Sequence, residues 1–159
     1  MTVHNSRNLS PLYTIGYAPH EPESFADILR RHGVTAVADV RSAPYSRFKP
    51  EFGKKRLQVW LPEAGIEYVW LGEQLGPRYD DPAVYRDGRA DYELIAEHPK
   101  FEQGVDRLLQ GMQKFTVALM CAEKDPLSCH RAILVARHMK AHADIRHIMA
   151  DGSVEPHQV

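Results

Sequence analysis

Both cysteines of this chain, Cys121 and Cys129, fall within eleven residues that also hold Glu123, His130 and Arg131, in the segment 120–137, MCAEKDPLSCHRAILVAR. An apolar run, TVALMC at 116–121, empties there into a polar turn, and a second apolar run with helical features follows. A strand that leads into a helix start is suited to chemistry, because unpaired backbone N–H groups and the helix dipole attract anions. On that reading Arg131 and the exposed N–H groups hold a phosphate or carboxylate, and the dipole makes the Cys129 thiol more acidic. The plainer alternative makes Cys129 a small buried filler and pairs Arg131 with Glu123 or Asp39.

A cysteine nucleophile needs a thiolate, a base or cation beside it and an oxyanion site. His130 follows Cys129 directly and points about 100° away from it on a helix, so it is not an automatic partner. The Cys-x5-Arg loop of cysteine phosphatases is absent, since Leu127 and Val135 stand where the arginine would be. Cys121, Cys129, His130 and His147 lack the short paired spacings of structural zinc sites, and no metal ligand set is assigned. The other histidines scatter without ligand spacing.

Two further clusters carry polar chemistry. Asp39 and Arg41 flank the exit of an apolar strand, where the carboxylate is either a general base or the partner that orients Arg41 or Arg131, and the two roles are compatible. Arg41, Tyr45, Ser46, Arg47, Phe48, Lys49, Lys54, Lys55 and Arg56 then form a basic run interleaved with aromatics. That composition suits a nucleotide or a single-stranded nucleic acid, and it is also that of a solvated loop.

The elements that must position these residues follow from periodicity. LYTIGY (12–17), TAVADV (35–40), IEYVWL (66–71), TVALMC (116–121) and DIRHIM (144–149) read as strands. Phe25, Ile28 and Leu29 mark a first helix closed by Gly33, and Leu57, Trp60, Leu61 and Ala64 a second closed by Gly65. Phe101, Val105, Leu108, Leu109 and Met112 give a clean amphipathic helix, and 128–142 gives the last. Residues 72–97 read as a long loop of weak periodicity, with Tyr79, Tyr85 and Tyr92 as lid candidates and Trp60 and Trp70 as core. Strands alternating with helices imply an α/β fold: a single three-layer domain whose mainly parallel sheet of about five strands is flanked by helices. Residues 1–11 read as a polar lead-in, 12–152 as the domain and 153–159 as a tail. Ligands of such sheets bind beyond the carboxyl ends of the strands.

Composition narrows the partners. With a net charge of −1 the chain lacks the broad cationic excess of a non-specific phosphate-backbone binder. No apolar stretch approaches the length of about 20 residues that spans a bilayer. The start, MTVHNSRNLSP, has no hydrophobic core for secretion, which points to the cytoplasm and to reduced thiols. No glycine-rich phosphate loop is present and no cofactor is implied.

TIGY near the start, ADVRSAPYSRF, GIEYVWLGEQLG, MCAEKDPLSCHR and a late HIMADG together resemble the bacterial family catalogued as domain of unknown function 488. The resemblance runs over 12–152 in five ordered motifs. Members commonly read Thr-Ile-Gly-His-Ser at the first motif, whereas Tyr17 and Ala18 take its last two places here, so no role of that histidine or serine is carried over. The resemblance implies a compact α/β fold and a site, and no substrate.

The leading reading is therefore a small cytosolic α/β hydrolase or transferase acting on a phosphate-bearing, nucleotide or nucleic-acid, substrate. Asp39, Glu123, Cys129 and His130 are its candidate catalytic residues. Tyr17, Arg41, Ser46, Arg47, Cys121 and Arg131 are its candidate substrate-binding residues. The alternatives are a non-catalytic module that binds a nucleotide or nucleic acid through the same pocket, and a thiol-dependent hydrolase or transferase centred on Cys129. A small anionic or nucleotide-like ligand is the expected partner, nucleic acid the larger alternative, and a membrane is not expected.

Overall fold

The computed structural model describes residues 9–76, 81–122 and 130–157. In chain order the elements are β1 (Pro11–Gly16), α1 (Pro22–Arg31), β2 (Ala36–Asp39), α2 (Lys54–Glu63), β3 (Glu67–Trp70), α3 (Gly72–Leu75), β4 (Tyr85–Arg86), β5 (Arg89–Ala90), α4 (Tyr92–Ala96), α5 (Pro99–Met112), β6 (Val117–Cys121), α6 (His130–Met139), β7 (Asp144–Ile148) and β8 (Val154–Pro156). The expected strands and helices are all present. Gly33 and Gly65 adopt φ of +75° and +84°, the left-handed conformation that ends α1 and α2 and that a side chain resists.

A six-stranded sheet runs in the order β3-β2-β6-β1-β7-β8. Its first five strands pair in parallel, and β8 adds an antiparallel edge beyond the five foreseen. Every residue of β6 is buried. That explains why TVALMC is continuously apolar rather than alternating: both faces of the sheet are covered.

The two faces have separate cores. Tyr13, Ile15, Val37, Ala118 and Met120 pack with Phe25, Ile28 and Leu29 of α1 and Leu57 and Leu61 of α2. Leu12, Ala36, Ala38, Val117, Leu119 and Cys121 pack instead with Phe101, Val105 and Leu108 of α5 and Val135, Ala136 and Met139 of α6. Three layers result, α1 and α2 on one side of the sheet and α5 and α6 on the other.

The stretch read as a bare loop contains short elements. It holds α3, a 3-10 turn at Pro82–Val84, the β4/β5 hairpin and α4, with Leu75, Val84 and Ile95 all buried. Each element is too short to show a period, which is why the sequence pattern there looked weak. Tyr85 packs against the α5/α6 core and Tyr92 opens α4. Tyr79 lies outside the described residues. Trp60 and Trp70 are partly buried, their indole N–H groups donating to the carbonyls of Glu51 and Arg41 at 2.7 Å each.

Candidate functional site

Asp39 closes β2 and Arg41 follows two residues later, both buried, with exposures of 0% and 4%. Burying opposite charges is favourable only with good geometry and satisfied lone pairs, and here both conditions are met. Arg41 Nε donates to Asp39 Oδ1 and Nη2 to Oδ2, each at 2.8 Å, as a two-pronged fork. The Arg41 backbone N–H donates to Oδ1 at 3.1 Å and the Tyr68 hydroxyl to Oδ2 at 2.6 Å. Two donors on each oxygen fill the usual acceptor capacity of a carboxylate.

The guanidinium is held on further sides. Nη2 also donates to the Phe52 carbonyl at 2.7 Å. Arg41 Cζ lies 5.1 Å from the centre of the Tyr17 ring, which itself stacks on Phe52 at 4.9 Å. Burial opposes the charge of Arg41, but the hydrogen bonds and charge of Asp39 outweigh it and raise the pKa above its ordinary value. Tyr68 is pushed far above the usual phenol range by burial first and by the Asp39 charge and hydrogen bond next, so it stays a donor. One group is left over. Arg41 Nη1 is buried and has no hydrogen-bond partner among the described residues.

Three strand exits meet at this point. Val40 N donates to Met120 O at 3.2 Å, and Tyr17 N to Cys121 O at 3.0 Å, so the chain leaving β2 and the chain leaving β1 flank the end of β6. Next to β2, β3 supplies Tyr68 and Trp70, with Asp39 in register with Trp70. Gly72 permits the close approach: a Cβ there would lie 1.7 Å from the Arg41 carbonyl oxygen. The helices that follow β1 and β2 pack in the α1/α2 layer, and the helix that follows β6 packs in the α5/α6 layer. Neighbouring strands whose connections part to opposite faces open a crevice at their carboxyl ends, the usual ligand position in such sheets.

Tyr17, Asp39 and Arg41 are thus brought together. Cys121 ends β6 but packs, buried, into the opposite layer, its Sγ 3.8 Å from the Ile15 carbonyl. Ser46 closes a local turn by accepting from Lys49 N at 3.0 Å, and Arg47 is exposed. Glu123 and Cys129 lie outside the described residues, and His130 and Arg131 are described only as the first two positions of α6. His147 is buried on β7, where Nδ1 meets Thr14 Oγ1 at 2.6 Å and Nε2 meets His157 Nδ1 at 2.9 Å. Among the described residues no group of three or more His, Cys, Asp or Glu side chains is placed to hold a metal. None of their helices is long and apolar enough to cross a membrane.

Tyr68 and Phe52 were not among the residues singled out from the sequence. Tyr68 sits in a run of aromatic and β-branched residues that signals a strand and nothing more, and its role depends on which strand β3 lies beside. The chain matches, over residues 21–138, the model of a protein family described as Domain of unknown function DUF488. No curated protein and no solved structure matches it.

Proposed function

The chain belongs to the DUF488 family, and from that premise we propose that it binds a phosphate-bearing ligand, a nucleotide or nucleic acid, at the carboxyl edge of the sheet and acts on it as a hydrolase or transferase. The observation that carries this reading is Arg41 Nη1, a buried cationic donor without a partner among the described residues, on the chain just beyond the end of β2. An unmet donor in such a place costs stability unless a ligand uses it.

Charge decides what else the site requires. Asp39 cancels the charge of Arg41 at a distance, so Arg41 offers a directed hydrogen bond rather than a positive field. The attraction for an anion is therefore assigned in this reading to Arg131 and to the helix start that follows β6 in the sequence. Asp39, with two donors already on each oxygen, serves in this reading as the positioning residue for Arg41 rather than as an acid or base. Glu123, Cys129 and His130, on the connection leaving β6 and the first position of α6, remain for acid–base or thiol chemistry.

Titration calorimetry with inorganic phosphate and nucleoside monophosphates tests the proposal on the wild type, Arg131→Ala and Arg41→Lys. Loss of a charge-assisted bond of about 1.5–3 kcal/mol should weaken binding at least tenfold in each variant. Arg41→Lys keeps the charge that Asp39 needs and loses the fork, and its near-ultraviolet circular dichroism reports whether the fold survives. Phosphate that does not bind, or that binds both variants as tightly as the wild type, sinks the proposal. Binding without turnover, unchanged by Glu123→Gln, would leave the non-catalytic module in its place.

A further inference from the structure

The segment 41–56 carries six cations, Arg41, Arg47, Lys49, Lys54, Lys55 and Arg56, against one acid, Glu51, a local net charge of +5. Since the whole chain is −1, the remainder carries −6. Six of the 20 Lys and Arg residues thus share one loop and the start of one helix; Arg41 is paired with Asp39 and Lys49 with Glu21, which leaves Arg47, Lys54, Lys55 and Arg56 as the cations of this surface.

The same loop exposes two large aromatic rings, Tyr45 at 75% and Phe48 at 91%. Leaving a phenylalanine in water forgoes most of the stabilisation its burial would give. Yet the loop is not loosely held. Lys54 N donates to the Pro44 carbonyl at 2.8 Å, Phe52 N to the Lys49 carbonyl at 2.9 Å, and Lys49 N to Ser46 Oγ at 3.0 Å. Phe52 is wholly buried and its carbonyl accepts from Arg41. The backbone is therefore anchored on both sides of the two rings, and Pro44 and Pro50 stiffen it further. Lys54 places its ammonium 4.3 Å from the centre of the Trp70 ring, so one cation of the set stands beside the loop's anchor at the Arg41 carbonyl. Lys55 and Arg56 are exposed on the first turn of α2.

We infer that the 41–56 loop is a docking surface for single-stranded nucleic acid, bases stacking on Tyr45 and Phe48 and phosphates meeting Arg47, Lys55 and Arg56. Single-strand binding needs this pairing of ring faces with cations along a backbone path. A duplex hides its base faces, and an acidic peptide would use the cations but not the rings. The inference deepens the proposed function, from which it takes the phosphate chemistry. It adds that the ligand extends beyond the Arg41 crevice along the loop.

Fluorescence anisotropy with a labelled single strand of about 15 nucleotides, as DNA and as RNA, tests it. The variants are Tyr45→Ala/Phe48→Ala and Lys55→Gln/Arg56→Gln, with inorganic phosphate titrated into the same proteins. The aromatic double variant should bind the strand roughly tenfold or more weakly, at an unchanged salt slope. The charge variant should lose about 1.4 from the slope of log K against log salt, about 0.7 for each phosphate contact. A strand bound equally by the aromatic variant, displaced as well by polyglutamate, or bound no better than its duplex overturns the inference. Phosphate separates the two proposals. Phosphate bound without the strand removes the docking surface and leaves the crevice, whereas a strand bound without phosphate removes the crevice reading.

Discussion

Replacing Tyr68 with Phe takes one hydroxyl from the Asp39 cluster and leaves the rest of the ring in place. The bond lost is the donation to Asp39 Oδ2 at 2.6 Å. Asp39 has no solvent exposure, so water does not replace that donor, while Arg41 keeps its grip on both carboxylate oxygens. The cost should be that of one hydrogen bond to a charged group, about 2 kcal/mol, below the about 3–5 kcal/mol of breaking a buried ion pair. In a domain of this size that lowers Tm by about 4–8 °C. Asp39→Asn, which leaves Arg41 facing a neutral amide, should reach the larger figure. Adding Tyr68→Phe to it should then cost little more, because the charged acceptor is already gone.

Alkaline pH gives a second readout. Tyr68 is held far above its ordinary pKa by burial and by Asp39. In the unfolded chain it ionises near pH 10, so above that pH the native state binds more protons and stability falls as pH rises. Tyr68→Phe removes this contribution and should flatten the alkaline limb. Urea unfolding followed by tryptophan fluorescence, at neutral pH and from about pH 9 to 11, measures both effects. A variant within about 0.5 kcal/mol of the wild type at neutral pH, or an alkaline limb as steep as before, would refute the reasoning.

Two glycines should respond in opposite directions to a methyl group. Gly111 lies in α5 with nothing within 4 Å of a Cβ, so Gly111→Ala should stabilise by about 0.5–1 kcal/mol. Gly72→Ala puts a Cβ into the Arg41 carbonyl and should cost more than about 3 kcal/mol or prevent folding; thermal melts of both variants decide the matter, and a neutral Gly72→Ala would contradict the packing described. On the acid side, His20 is lowered by burial and then by Lys49, and His157 by burial and then by Lys140 and Arg137. The unfolded chain then takes up protons first as pH drops below about 6.5, so stability falls there. The urea midpoint should decrease between about pH 7.5 and 5.5, and less so in His157→Gln; an unchanged midpoint in the wild type would count against it.

The sequence by itself determined the local elements. Runs of apolar, β-branched and aromatic residues marked β1, β2 and β6 as strands, and the spacing of Phe101, Val105 and Leu108 marked the buried side of α5. It also brought Asp39 and Arg41 to notice as a pair at a strand exit, because two residues along one chain are neighbours in any fold. Only the tertiary structure decided that β6, late in the chain, enters the sheet between β2 and β1. That order brings Tyr17, Arg41 and the start of the β6–α6 connection to one edge, and it leaves Cys121 facing the other layer. Only the register of β3 on β2 let Tyr68 reach Asp39 and Trp70 reach the Arg41 carbonyl. Nor could spacing foretell that α3, the β4/β5 hairpin and α4 fill the stretch that looked like a loop. The reason is physical: periodicity records which face of an element is buried, a local property of a few residues, whereas strand order and register are set by pairing and packing between residues far apart in the chain.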